Sequence, residues 1–226
     1  MMSLKELGEL GIIRILESIL GSSARTAIGF GDDVSAVKLG SGKVAVLKTD
    51  MLVGSTDVPL GMTFRQAARK AVVANVSDLA AKGVRPLAGL VALGLPANMT
   101  KRDLHGLAIG LRDGEREYGF PLVGGDTNES QDLTISIALF AIAEHKRLVL
   151  RDGAKIGDIV AVTGAFGSTS AGLKSLLDKK KRPRQLPTPL YKAVFMPRAQ
   201  LKLGVKLADS GALTASIDSS DGLAWS

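Results

Sequence analysis

TFRQAARKAVVANVSDLAAKG, residues 63–83, and LAGLVALGL, residues 87–95, lie almost end to end in this chain. Thr63 and Gln66 have capping-box spacing, and an Ala/Val-rich run continues to about residue 81 before Gly83 and Pro86 close it, so the first string predicts a helix. The second is a continuous apolar run of strand length and predicts a buried strand. Asn75 and Asp78 are three residues apart and share one side of that helix. That side would press a carboxylate against a sheet, which is costly unless the charge has a partner.

Outward from this centre, residues 43–53 read as a strand ending in a polar turn, and residues 5–19 as a short amphipathic helix. Thr100 caps a helix to about Tyr118, stopped by Gly119. Residues 121–123 are a short strand leading into a Gly-Gly-Asp turn, and residues 133–143 are a second long apolar strand. Beyond Arg151 the order changes to a strand at 159–163, a Gly-rich link, a helix to about Leu177, and a basic, Pro-containing connection at 179–189. Pro197 opens a helix to about Asp209, and residues 214–217 are a strand entering Asp218-Ser219-Ser220-Asp221-Gly222. The expected division is an α+β unit over 1–148, with helices on one face of its sheet, and an α/β unit over 149–226. The second unit has too few strands to be covered on both faces, and the expectation is that it is incomplete and continues beyond Ser226.

Composition removes several classes of function. Apolar residues make up 46% of the 226 and charged residues 23%, the balance of a folded globular chain. There is no cysteine, so disulfides, thiolate metal sites and a thiol nucleophile are absent from these residues. His105 and His145 are two isolated histidines, so any metal is a hard cation held by oxygen. The formal charge of +7 suits nucleic acid, membrane surface or an anionic small substrate. Aromatics are only 4%, too few for base stacking, which argues against nucleic acid. The basic run Lys179, Lys180, Lys181, Arg182 and Arg184 reads as a solvated connection. No apolar run is long enough to span a membrane and no signal peptide is evident, so a cytoplasmic protein is expected.

Five acidic clusters stand beside small residues: Gly31-Asp32-Asp33, Thr49-Asp50, Asn75-Val76-Ser77-Asp78, Gly124-Gly125-Asp126-Thr127 and Asp218-Ser219-Ser220-Asp221-Gly222. Each alone is an ordinary turn composition; together they are a pattern. Adjacent carboxylates such as Asp32 and Asp33 repel unless solvent or a cation intervenes. Mg²⁺ keeps several waters and takes one or two carboxylates per ion alongside phosphate oxygens, so seven such acids suit several ions around a polyphosphate. The loop 163–169 enters a helix and either holds an anion on exposed amides or is a close-packed turn; it is not a Walker A loop. Arg151 either clamps a phosphate or is a surface charge.

The series GFGDDVSAV, KTDMLV, NVSDLAAKG, GGDT, RDGAKIGD, VTGAFGSTSAGL and DSSDGL resembles the thiamine-monophosphate kinase family, within the superfamily that includes aminoimidazole ribonucleotide synthetase. The resemblance runs from about Gly29 to the last residue. It implies an N-terminal domain of the aminoimidazole ribonucleotide synthetase type, ferredoxin-like and pairing into a dimer barrel, followed by an incomplete α/β domain. The implied reaction is ATP- and Mg²⁺-dependent phosphorylation of thiamine monophosphate to thiamine diphosphate by a homodimer. By motif match, Asp32, Lys48, Thr49, Asp50, Asp78, Asp126, Asp218 and Asp221 fall at metal positions, and Gly125, Arg151 and Ser220 at ATP contacts. Asp57 falls at a substrate contact.

Two positions depart from the family pattern. Lys48 stands where a small hydroxyl residue is frequent, and its ammonium can replace some metal charge. Asp57 stands where many members carry a histidine, and a carboxylate there would meet thiamine's cationic ring or amine. The alternatives are another ATP-dependent member of the superfamily, of the hydrogenase-maturation or purine-pathway synthetase type, or a non-catalytic nucleotide or nucleic-acid binder.

Overall fold

A computed structural model describes residues 3–21, 23–177, 182–220 and 222–223. The elements run α1 (Leu4–Leu20), β1 (Thr26–Ile28), β2 (Ser35–Gly40), β3 (Lys43–Val53), α2 (Gly54–Asp57), α3 (Phe64–Ala81), β4 (Ala88–Pro96), α4 (Lys101–Tyr118), β5 (Leu122–Ser130), β6 (Thr134–Glu144), α5 (Ser168–Leu177), α6 (Thr188–Phe195) and α7 (Leu201–Ser210). The first half is an α+β unit with one six-stranded sheet of order β1-β2-β3-β6-β4-β5. Its strands pair antiparallel except β4 with β5.

The predicted capping box is present: Thr63 Oγ1 accepts the Gln66 N–H at 3.3 Å and Gln66 Oε1 accepts the Thr63 N–H at 3.0 Å. Two of the helix's orphan amide donors are thereby satisfied. Its buried face is made mostly of small residues, Ala67, Ala68, Ala71, Val72 and Val76, so it lies close on Val44, Val46 and Leu52 of β3 and Ile135, Ile137 and Leu139 of β6. Each large aliphatic side chain buried here contributes about 1.5–3 kcal/mol. In β3 the even-numbered residues face this helix, while Leu47 and Met51 point to the other side and are exposed. Leu90 of β4 and Ile142 of β6 are exposed as well, so the outward face of the sheet is apolar.

Several expectations are corrected. Strands β1 and β2 were not anticipated; they are short and close the sheet beyond β3. The Gly-Gly-Asp segment is strand rather than turn, because β5 runs through it in parallel register with β4, pairing Leu90 with Gly124 and Ala92 with Asp126. A ladder partner outweighs the local turn preference. The two strands expected at 159–163 and 214–217 do not form among the described residues. Ile159 and Val160 are exposed, and residues 214–217 make a single long-range backbone bond, from Ser216 N to Leu150 O at 2.9 Å, among the described residues; without a neighbouring ladder an extended segment is not a strand. Helix α6 was not anticipated: the connection was expected to run to Pro189, which instead sits in the helix's first turn, where proline starts helices rather than ending them. Helix α7 begins at Leu201 rather than Pro197.

The helices after residue 150 are tied to the first half. Gly204 of α7 leaves no room for a Cβ, which would meet Ala80 O of α3 at 2.0 Å. Arg69 of α3 donates to Pro197 O at 2.8 Å and to Glu117 Oε2 from Nη2 at 2.6 Å. A small second cluster, Leu186, Val194 and Phe195, packs with Tyr191 and Met62. No helix among the described residues is long and apolar enough to cross a membrane.

Candidate functional site

Chemistry converges where the end of α3 meets the β1–β2 loop, the inward face of β3 and two segments of the second half. Asp78, near the end of α3, is 7% exposed. It points to β3, where Lys48 Nζ lies 2.7 Å from its Oδ2. One turn further on, Lys82 is wholly buried and places Nζ 2.7 Å from Asp32 Oδ1, 3.0 Å from Asp33 Oδ2 and 2.8 Å from Ser216 O. Arg151 reaches the same pair from the other half: its backbone N–H donates to Asp32 Oδ2 at 2.9 Å and its guanidinium to Asp33 Oδ1 at 2.5 Å. Asp218 follows the Lys82 latch and is held by the Ser77 hydroxyl.

The result is a buried acidic centre. One carboxylate oxygen from each of Asp33, Asp78 and Asp218 lies within 4.8 Å of the others. At that separation and an effective dielectric near 20, each pair of ionised groups repels by about 3.5 kcal/mol. Burial pushes the Asp78 carboxyl up to about 7; Lys48 opposes this, and Asp218 and Asp33 add to it. Burial also raises Asp218, with Ser77 opposing and Asp33 reinforcing. Burial works in the same direction on Asp32, but Lys82, the Arg151 amide and the Asp33 amide outweigh it and hold this carboxyl below its usual range.

These residues fit a divalent cation. The donors are carboxylate oxygens, the ligand set of Mg²⁺, and the centre retains unmet acceptor capacity. Asn75 Oδ1, one turn before Asp78 on α3, is buried with no hydrogen-bond partner. Asp33 Oδ2 also lacks one: its 3.0 Å approach to Lys82 is an ion pair outside hydrogen-bond geometry, which leaves a lone pair free for a cation. Four carboxylates, Asp32, Asp33, Asp78 and Asp218, face three cations, Lys48, Lys82 and Arg151, so the centre carries a net negative charge when all are ionised.

The remaining expected residues spread outward. Asp50 lies two residues along β3 from Lys48 on the same face, exposed, with Oδ1 accepting the Met51 N–H at 3.0 Å. Thr49 points to the opposite face. Asp126 is exposed in β5 at the far edge of the sheet, paired with Ala92, about 14 Å from β3 across two intervening strands. In register it shares the outward face with Met51, Ser136 and Ala92, so within one chain it does not join the buried centre. Gly125 is needed by the fold itself, since a Cβ there would meet Val91 O at 1.7 Å. Asp57 Oδ2 accepts the Val53 N–H at 2.7 Å and holds the short α2 turn. Ser220 is exposed, and Asp221 lies outside the described residues.

Lys82 is the residue that sequence reasoning missed, and Asp33, counted among the acidic clusters, was not carried to the metal positions. Lys82 stands four residues after Asp78, on the same side of α3, and that spacing was the available signal. Asp33 had none beyond its adjacency to Asp32.

Residues 31–144, half of the chain, match the family described as AIR synthase related protein, N-terminal domain. The thiamine-monophosphate kinase of Nitrosopumilus maritimus is 40% identical over 97% of this chain and 67% of its own length. The chain belongs to the thiamine-monophosphate kinase family. The thiamine-monophosphate kinase of Pyrococcus abyssi is 41% identical over 85% of this chain and 59% of its own length. Among solved structures, AaThiL complexed with AMPPCP and TMP superimposes with a TM-score of 0.81 at 31% identity, covering 92% of this chain and 65% of that one. The chain thus spans roughly three-fifths to two-thirds of the length of these three relatives. The acidic centre draws on both parts of the family's sequence pattern, the matched domain and the segment beyond it.

Proposed function

We propose that this protein transfers the γ-phosphoryl group of ATP to the phosphate of thiamine monophosphate, forming thiamine diphosphate and ADP. The observation that carries this is the buried carboxylate centre of Asp33, Asp78 and Asp218, built from both halves of a chain whose relatives are thiamine-monophosphate kinases. A related structure, AaThiL, holds AMPPCP, an analogue of ATP, together with TMP, which supports a site that takes both a nucleotide and a phosphate acceptor.

The chemistry needs little from the protein beyond position and charge. A phosphate oxygen of the acceptor forms the new P–O bond to the γ-phosphorus while the bond to the β–γ bridging oxygen breaks and its electrons leave on ADP. The acceptor oxygen is already anionic, so no general base has to deprotonate it. The difficulty is to bring two polyanions together, and catalysis of this kind rests on alignment and electrostatic stabilisation. Mg²⁺, when bound, would neutralise phosphate oxygens at the centre. Asp33, Asp78 and Asp218 would hold it, with Asp32, Asp50 and Asp221 as further carboxylates. Lys48, an ammonium, would not ligate it but would supply positive charge at Asp78. Thr49 and Asp126, on the opposite face of the sheet, would meet a cation only outside this chain's own centre. Arg151, kept in place by Asp32 and Asp33, would meet a phosphate with the exposed part of its guanidinium. Gly125 and Ser220 would contact ATP, and Asp57 the thiamine moiety.

A homodimer is part of the proposal. The outward sheet face exposes Leu47, Met51, Leu90 and Ile142, apolar side chains of the kind that mark a contact between proteins when they adjoin. A second copy covering that face would stand on the side to which Asp126 points. Residues 1–148 and 149–226 would be two domains, with the site at their junction, in a cytoplasmic protein that binds neither membrane nor nucleic acid. Phosphorus NMR of the protein with ATP, Mg²⁺ and thiamine monophosphate tests the assignment: a new diphosphate product with equimolar ADP is expected. ATP left intact, or hydrolysed with thiamine monophosphate unchanged, would overturn it.

A further inference from the structure

Along the helix-facing row of β3, Val44, Val46 and Leu52 are buried in the main core, whereas Asp50 is exposed. Lys48 is in the same row, with its side chain only 17% exposed. An ammonium there loses most of its hydration, and a facing anion offsets part of that loss, a neutral acceptor less of it. Asp78 is that anion: its side chain is 9% exposed and its Oδ2 lies 2.7 Å from Lys48 Nζ. The other two cations of the centre are committed elsewhere, Lys82 to Asp32, Asp33 and Ser216 O, and Arg151 to Asp32 and Asp33. Lys48 therefore neutralises the side of the centre that Lys82 and Arg151 do not reach.

We propose that Lys48 is a tethered cation that occupies the place of one divalent ion at Asp78, so that Asp78 binds metal through its other oxygen alone. A carboxylate bridges two metal ions by giving one oxygen to each. With Oδ2 taken by the ammonium, a divalent ion at that oxygen would sit against a like charge in a poorly hydrated site, and only the Oδ1 side stays open. The chain's centre thus holds one divalent ion fewer than its carboxylates alone would gather. The fixed charge also remains when Mg²⁺ is scarce, because a covalent tether has no dissociation step. This rests on the acidic centre being a metal site, as proposed above.

Direct counting of bound Mn²⁺ by electron paramagnetic resonance, on nucleotide-free protein stripped of metal, tests it without reference to turnover. Lys48→Ser, which removes the charge and opens space, is expected to bind one more Mn²⁺ per chain than the parent, and Lys48→Arg to keep the parental number. Should the serine variant fail to fold, Lys48→Met keeps the volume of the stem and removes the charge, and its Mn²⁺ dissociation constant is expected to fall about tenfold. Equal Mn²⁺ number and affinity in parent and charge-free variants would overturn the inference while leaving the metal site intact. An absence of Mn²⁺ binding in all of them would remove the metal site and the inference together.

Discussion

Replacing Asp78 by asparagine should make the metal-free protein more stable while abolishing its activity. The carboxyl titrates at about 7 in the folded protein against an ordinary 3.8, because burial and the neighbouring Asp33 and Asp218 outweigh Lys48. Holding it ionised above pH 7 therefore costs up to about 4 kcal/mol. Asparagine keeps the shape, and its amide oxygen can still accept from Lys48, but it carries no charge to be repelled. Coupling with Lys48 and local relaxation reduce the gain, and a stabilisation of about 2 kcal/mol at pH 8 is expected, a rise in Tm of roughly 4–8 °C for a chain of this size. The sign with pH is fixed. The folded carboxyl holds its proton more tightly than the unfolded one, so the parent loses stability as pH rises from near 4 to above 7. The gap between variant and parent should shrink to under about 1 kcal/mol at pH 5. Chemical denaturation in EDTA at pH 5 and pH 8 measures it. Millimolar Mg²⁺ should then raise the parent at pH 8 and leave the variant nearly unmoved. A variant that is destabilised at both pH values, or a gap that is the same at both, would show that Asp78 is held as a fully compensated ion pair and that the centre is not poised for a cation.

Two further outcomes follow from the contacts. Lys82→Met should destabilise the protein by about 3 kcal/mol in urea denaturation, since it leaves the wholly buried Asp33 side chain with one cation fewer; it should also loosen residues 216–218, read as faster amide exchange at Ser216 and its neighbours. Gly204→Ala should cost more than the helix propensity it gains, by about 2 kcal/mol, because the new methyl meets the Ala80 carbonyl of α3 and a backbone atom cannot step aside; a thermal melt at or above that of the parent would mean that α7 is not seated on α3.

Local pattern was sufficient wherever one element is specified by its own residues. The capping boxes at Thr63 and Thr100, the left-handed Gly119 after α4, and the apolar runs of β3, β4 and β6 all stand close to where periodicity and caps put them. It failed where a neighbour decides. Gly124-Gly125-Asp126 has turn composition yet is strand because β4 lies beside it. The apolar segment at 159–163 has strand composition yet pairs with nothing among the described residues.

The candidate site divides along the same line. Residue type and spacing were enough to mark the acidic clusters, to require a hard cation rather than a thiolate-bound one, and to put Asn75 and Asp78 on one side of a helix. Which acids meet depends on strand register and on contacts between residues more than a hundred positions apart, and neither leaves a local trace. Alternation in β3 turns Lys48 inward to Asp78 and Thr49 outward. The edge position of β5 keeps Asp126 away from the centre of its own chain. The β1–β2 loop buries Asp33 more deeply than Asp32. Sequence alone thus determined what kind of ion its side chains would suit, because that follows from their chemistry. Only the tertiary structure decided which carboxylates share a site, and that Lys48 stands among them, because burial and distance set the energy of a charge.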